Sequence, residues 1–404
     1  MATDNAATET ITTAKKNKGT NQIAVRNYNE KLILQLIRKH VSLTKADATR
    51  ETGLSPNAVS VIFRSLEDGN LLIKEDAIRG RRGQPSIPMS LNPDAAYFLG
   101  LKIGRRSLEL IVVDFVGNTL NHIQENHEFP LPDASVAFVA SAMSDLLAKC
   151  KISKTDIVGL GVAMPFELWH WTEEFGAPRE KMEVWKTADL KAELSKVVDC
   201  PILIENDGTA ACNAELVFGT EHDKQDFIYF FVGTIIGGGI VLNESVFRGR
   251  EGTAGGFGPM PIPGKNHQSE RLVDQASLFV LERMIAEQGG DPRSIYGDAT
   301  GWTEYGEIVN EWVKMTARGL AYATVSSLSI IDFEAVIIDG NFPEFIRDQI
   351  VRETSEQIDE LDLQGIRKPE FIPGSCGNLA RAQGAASLTL SETYAINQNT
   401  LLRS

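Results

Sequence analysis

The chain has 404 residues, 43% hydrophobic and 23% charged, with a formal net charge of −14, the balance of a soluble globular protein of two or three domains. No run approaches about 18 apolar residues and the N-terminus is polar and lysine-containing, so neither a membrane span nor a signal peptide is expected, and the chain reads as cytoplasmic. Four scattered cysteines, Cys150, Cys200, Cys212 and Cys376, form no C-x-x-C pair, which fits buried thiols and draws no zinc pattern.

The total charge hides an asymmetry. Residues 1–94 hold 14 Lys and Arg against 10 Asp and Glu, and the remainder holds 26 against 44. A basic module on an acidic body suits a nucleic-acid reader with a separate sensor.

Residues 1–22 are rich in Thr, Ala, Asn and Lys without periodicity and read as a disordered tail. A helix is expected from Tyr28, with Leu32, Ile33, Leu36, Ile37 and Val41 on one face. Thr44 and Asp47 approach a capping box for a short helix that ends at Thr52-Gly53. Ser55-Pro56 starts a third helix, with Val59, Ile62, Phe63 and Leu66 inward and a stop at Gly69. Strands at Leu71 to Lys74 and Ile87 to Leu91 would form a wing, with Arg79, Arg81, Arg82 and Gln84 around its tip. Residues 23–92 thus read as a winged helix-turn-helix. Three small helices alone would also suit a plain helical subdomain; the arginine-glycine wing favours DNA. The expected DNA contacts are Lys45, Ser55, Asn57, Ala58, Ser60 and Arg64 at the helices, and the four wing residues in the minor groove.

After a linker at Asn92-Pro93, strands are expected at Phe98 to Gly104, Ser107 to Asp114 and Thr119 to His127. A helix (Ala134 to Cys150), a strand (Ile157 to Val162), a helix (Ala188 to Val198), a strand (Pro201 to Glu205) and a helix (Gly208 to Phe218) follow. Phe227 to Val232 then opens a second set, and the three glycines Gly237, Gly238 and Gly239 read as the turn of a hairpin continued by Ile240 to Leu242. Such a turn can approach a ligand closely or cradle a phosphate. Helices near Leu272 to Glu287 and Thr303 to Ser329, strands at Ala335 to Ile338 and Glu370 to Ile372, and a helix at Asn378 to Leu388 complete it. The strand-helix order is that of a duplicated actin-like (ribonuclease-H-like) α/β fold, with lobes at 96–220 and 221–404 and a C-terminal helix that can pack back on the first lobe.

From Gly233-Thr234 through Gly237-Gly238-Gly239 to Gly252-Thr253-Ala254-Gly255-Gly256-Phe257-Gly258, the chain resembles the ROK family of sugar kinases and sugar-responsive repressors, whose members carry GTGIGxGI and then YxGxxGxAGExGH. The N-terminal segment resembles the DNA-binding domain of ROK repressors, with Ala58, Val61 and Gln84 departing from the family's Thr, Arg and Arg. The resemblance implies the actin-like fold and places the catalytic Asp of the kinases at Asp207, which, with Asn206, hydrogen-bonds sugar in the repressors. Asn206-Asp207 would equally cap the helix that follows.

The departures fall on the chemistry. The first phosphate loop, DxGGT in the kinases, reads Lys102-Ile103-Gly104-Arg105-Arg106, so no catalytic residue is expected. The family's ExGH becomes Gly256-Phe257-Gly258-Pro259, and its zinc cluster is replaced by a segment holding His267 and Arg271, so neither metal nor cofactor is expected. Met164 stands where the family's sugar loop has glycine. Residues around an effector would be Asn206, Asp207, Met164, Gly256, Gly258, Arg271 and Glu183, with Trp169, His170, Trp171 and Trp185 available either to stack on a sugar or to pack the lobe. With both sugar-binding Glu positions lost, either the effector differs from the usual sugar or effector binding is gone. The expected function is a DNA-binding regulator, a repressor of carbohydrate genes, working on a double-stranded operator as a homodimer or tetramer with a small carbohydrate-related effector. The alternatives are a divergent sugar kinase with a DNA-binding module, or an effector-independent dimeric DNA binder.

Overall fold

The computed structural model describes residues 22–77, 86–170, 172, 176–219, 223–264, 268–296 and 299–396. The chain divides into two compact units, Leu91–Thr393 and the N-terminal residues to Ser90 together with Tyr394–Ser404.

In the first unit, helices α1 (Gln22–His40), α2 (Lys45–Thr52) and α3 (Pro56–Asp68) accompany strands β1 (Ser42–Leu43), β2 (Leu72–Lys74) and β3 (Met89–Leu91), ordered β1-β3-β2. The expected caps are in place. Thr44 accepts from the Asp47 amide, Gly53 at φ 68 closes α2, and Ser55 accepts from the Ala58 amide ahead of Pro56. Ile33, Ile37, Val59, Phe63 and Leu66 fill the core. Helix α1 starts earlier than the apolar spacing indicates. Residues 25–28 are exposed or half-buried, and Arg26 ties this turn down by pairing with Glu30 and donating to Ser65 of α3. Strand β1 was not expected; two residues are too few to show alternation, and β3 supplies the pairing.

The second unit repeats one topology. Strands β4 (Tyr97–Ile103), β5 (Ser107–Val113), β6 (Thr119–Asn126), β7 (Ile157–Met164) and β8 (Ile202–Asn206) form a sheet in the order β6-β5-β4-β7-β8, with helices α4 (Pro132–Cys150), α5 (Arg179–Met182) and α6 (Leu190–Leu194). After α7 (Asp207–Phe218), strands β9 (Phe227–Val232), β10 (Gly237–Leu242) and β11 (Ser245–Val246) begin the second copy, and a small β12 (Pro261–Pro263)–β13 (Ser269–Arg271) ribbon follows. Helices α8 (Leu278–Glu287), α9 (Thr300–Glu304), α10 (Gly306–Leu328) and α11 (Glu344–Gln357), strands β14 (Ala335–Gly340) and β15 (Glu370–Pro373), and α12 (Ala380–Tyr394) complete it. The second sheet runs β11-β10-β9-β14-β15. In each sheet three strands are antiparallel and the last two join in parallel, so the body has the actin-like duplicated fold.

Between the sheets lie α7 and α12, and small residues let their backbones touch what they pack on. A Cβ on Gly161 would sit 1.7 Å from the Ala385 carbonyl oxygen, and one on Gly100 2.1 Å from that of Ala382. These contacts seat α12 on β4 and β7. A Cβ on Gly384 would meet the Ala210 carbonyl oxygen at 1.9 Å, which joins α12 to α7. One on Gly239 would meet the Cys212 Cβ at 2.4 Å, which joins α7 to β10.

Several expectations need correction. Gly237, Gly238 and Gly239 are not the turn: they are the start of β10, opposite Phe231, Phe230 and Tyr229. The turn is Gly233–Ile236, and Gly238 and Gly239 serve close packing. Asn92-Pro93 is no loose linker, since Asn92 caps a 3-10 turn and Pro93 accepts from the Phe115 amide. The expected Ala188 to Val198 helix shrinks to α6, capped by Asp189. Helix α11 went unread although Ile346, Ile350, Val351 and Thr354 form its buried stripe.

On β4, Lys102 stands opposite Glu109 of β5. It is 2% exposed, pairs with the Glu109 carboxylate and donates to Ser107 Oγ at 2.9 Å. Burial, then the Arg381 guanidinium, push the Lys102 amine down to about 8, against the pull of Glu109.

Two stability tests follow from this packing. Gly161→Ala forces a methyl into the α12 backbone and should cost at least about 3 kcal/mol in urea unfolding, whereas Gly306→Ala, with open space around it, should cost nothing. Lys102→Met leaves Glu109 buried without its cation and should cost about 3–5 kcal/mol, most of it recovered by adding Glu109→Leu. Because the folded Lys102 value lies below the unfolded lysine value of 10.5, its cost is fully felt below about pH 8. Wild-type stability should therefore gain on the double variant as pH rises from 8 towards 10.5.

Candidate functional site

The first unit offers a helix for recognition. Along α3, Asn57 and Arg64 are exposed while Ala58 and Ser60 are half-buried. Ser55 is exposed, but its hydroxyl already accepts from the Ala58 amide at 3.2 Å. Lys45 is exposed at the start of α2. The far end of α3 is acidic: Glu67 pairs with Lys74, and Asp68 is exposed. Anions are thus favoured only near the first two turns. Arg79, Arg81, Arg82 and Gln84 lie outside the described residues.

In the second unit the candidate site is the corner where β8 becomes α7. Asn206 Oδ1 accepts from the amides of Gly208 at 3.0 Å and Thr209 at 3.3 Å, so it is the N-cap of α7. Met164 is its partner across the β7–β8 pairing. A Cβ on Gly208 would lie 2.7 Å from both Gly238 N and O, and one on Gly255, at φ 84, 2.5 Å from Gly239 Cα. Two glycine contacts on β10 therefore bring the Asn206–Asp207 corner and the Gly255–Gly258 loop together. Phe257 of that loop turns inward onto Phe230, at 4.6 Å between ring centroids, leaving the Gly256 and Gly258 backbone as what the loop offers.

Asp207 is not open. Arg381 of α12 reaches its Oδ2 at 3.5 Å. Arg381 is 6% exposed, stacks over the Phe231 ring at 4.8 Å, and its Nε has no partner. Arg106 crosses to the second lobe and pairs with Glu282 at 3.3 Å; the Tyr296 hydroxyl donates to the same carboxylate and lies beside Thr234. A second crossing joins Arg248 to Glu205 at 2.8 Å, while the other Glu205 oxygen accepts from the Asn206 amide. Side chains of the protein itself thus bridge the two loops that hold nucleotide phosphates in the family this chain resembles.

Two expected effector residues are placed otherwise. Arg271 pairs through two nitrogens with Asp274, at 2.8 and 2.7 Å, and Glu183 is an exposed residue paired with Lys186 at 2.9 Å. The Lys186 hydrogen bond holds the Glu183 carboxyl below its usual range. Both pairs close within one turn of chain, where local geometry outcompetes a distant cleft. Trp185 is buried and donates to the Pro130 carbonyl at 3.0 Å, and Trp169 packs against the first-lobe core, so lobe packing accounts for both; Trp171 lies outside the described residues. Among the described residues no group of three or more His, Cys, Asp or Glu is placed to hold a metal ion, and His267 lies outside them. No described helix is long and apolar enough to cross a membrane.

Arg381, Glu282 and Tyr296 had not been singled out. The trace of Arg381 was a lone cation in the small-residue run Ala380 to Ala386, where a buried helix face demands a partner.

Comparison with known proteins agrees with this geometry. A xylose repressor of Bacillus spizizenii is 25% identical over 241 residues, 60% of this chain. The match spans 62% of that repressor's own length. A solved ROK family transcriptional regulator, described as a homologue of the E. coli Mlc protein, superposes with a TM-score of 0.63 at 18% identity, over 92% of this chain and 97% of that one. A ROK family glucokinase from Streptomyces griseus, solved with glucose and AMPPNP, superposes with a TM-score of 0.58 at 20% identity, over 72% and 99%. At these identities the structural likenesses speak for the fold. The family model itself matches residues 98–277, from β4 through the glycine-rich loops to the start of α8, and over that span this chain carries a ROK family domain.

Proposed function

We propose that this chain is a DNA-binding transcriptional regulator, a repressor of carbohydrate-utilisation genes, in which a winged helix-turn-helix reads an operator and the ROK body senses a sugar-related effector between its lobes. It works in the cytoplasm as a homodimer or a tetramer, because one winged module covers a half-site and two-fold symmetry matches a palindromic operator. The observation that carries this reading is α3. Its apolar side chains Val59, Ile62, Phe63 and Leu66 are buried, and its first two exposed turns present Asn57 and Arg64, side chains suited to adenine and guanine edges. The name of the Bacillus relative, a xylose repressor, points the same way.

The glucokinase likeness favours a second reading, a sugar kinase. The charges oppose it. A catalytic base must accept a proton from the sugar hydroxyl, and Asp207 faces a buried guanidinium instead. The first phosphate loop carries Lys102, tied to Glu109, and Arg106, tied to Glu282. Effector contacts at Asn206, Asp207, Met164 and the Gly256–Gly258 backbone belong to the same proposal.

A mobility shift of the full chain on DNA upstream of its own gene should give a complex that weakens steeply with salt. Arg64→Ala should reduce its affinity by about tenfold or more. Failure to shift any such fragment at low salt would refute the regulator reading. With ATP and a panel of hexoses, ADP formation should stay at background. Hexose-dependent turnover that Asp207→Asn abolishes would establish the kinase.

A further inference from the structure

The exposed positions of α3 are Pro56, Asn57, Val61, Arg64 and Asp68, one stripe along a helix whose opposite side is core. In the middle of this polar stripe Val61 is 53% exposed. A valine there gains nothing locally, because β-branching restricts its χ1 in a helix and its methyls face water. Isolated exposed apolar residues are common, so position is what counts. Val61 lies one turn after Asn57 and one turn before Arg64. The acidic end of the helix, at Glu67 and Asp68, is beyond it.

In the major groove every base edge offers donors and acceptors, and a single apolar group, the C5 methyl of thymine. A helix turn rises about 5.4 Å, about one and a half times the step of about 3.4 Å between base pairs, so a side chain one turn from an adenine reader reaches a neighbouring base pair. Phosphate oxygens offer valine nothing, and a phosphate-contacting helix would place a polar or basic residue there. Arg64, exposed one turn further along the same stripe, favours an anionic occupant of this face over an apolar protein surface.

We propose that Val61 is a specificity-determining residue that packs on the C5 methyl of one thymine in each operator half-site, beside the base read by Asn57. This rests on the DNA-binding reading above.

The full chain is used to enrich binding sites from random double-stranded DNA, and each thymine of the enriched site is then replaced singly by deoxyuridine, which removes only the methyl group. One symmetry-related thymine per half-site should lose about three- to tenfold in affinity on replacement. Val61→Ala should bind the thymine site more weakly by a similar factor and no longer distinguish thymine from uracil there, with unchanged thermal stability. If a site is enriched but no thymine responds, or the response survives in Val61→Ala, the thymine proposal is overturned while DNA recognition stands. If no sequence is enriched at all, the DNA-binding reading falls, and this proposal with it.

Discussion

The body of this protein depends on direct backbone contact between two central helices and the sheets that flank them. Gly100 and Gly161 admit the carbonyls of α12, Gly384 admits α7, and Gly239 admits Cys212. Any side chain at these points would push a helix away by about 1–2 Å, and interiors packed like crystals do not absorb that. Because α7 and α12 are fixed this closely, the side chains they carry into the cleft are fixed as well. Asp207 opens α7 and Arg381 lies in the first turn of α12, so their meeting follows from how the helices are seated.

The charges in the cleft share one logic. A phosphoryl-transfer site leaves backbone amides, a metal and a carboxylate open for the substrate. Here Lys102 faces Glu109, Asp207 faces Arg381, Arg106 reaches Glu282 and Arg248 reaches Glu205. Two of these pairs join one lobe to the other. Their net worth is modest where they are partly exposed, and a ligand meeting Asp207 would have to displace or share Arg381. A fold shared with a glucokinase is thus filled with internal ion pairs at the positions where open charge would matter.

The sequence made the local signals legible and hid the long-range ones. Thr44, Gly53 and Ser55-Pro56 act within a few residues, and their roles as caps were readable directly. Short β-branched apolar runs such as Leu110 to Val113 marked strands for the same reason. The glycines at 237–239 were misread because a glycine kept for close approach looks the same in sequence as one kept for a turn; only the Cys212 and Gly208 contacts separate the two. Arg271 was drawn towards the cleft by its position in a motif, and Glu183 as a candidate contact; each pairs instead with a sequence neighbour, Asp274 or Lys186. Arg381 is distant in sequence from Asp207, so nothing local announced the pair.

The same central layer sets the order in which the chain can fold. Gly100 and Ala382 touch, yet roughly 280 residues separate them, so loop closure makes this contact late and slow. Until α12 is made, the face of β4 and β7 that it covers stays bare during synthesis. The first compact unit draws most of its residues from the first 90 but also takes in Tyr394 at the end of α12, so it too is completed only when the C-terminal helix is made. A nascent chain would therefore hold an unfinished body, with an open apolar sheet face for chaperones to shield.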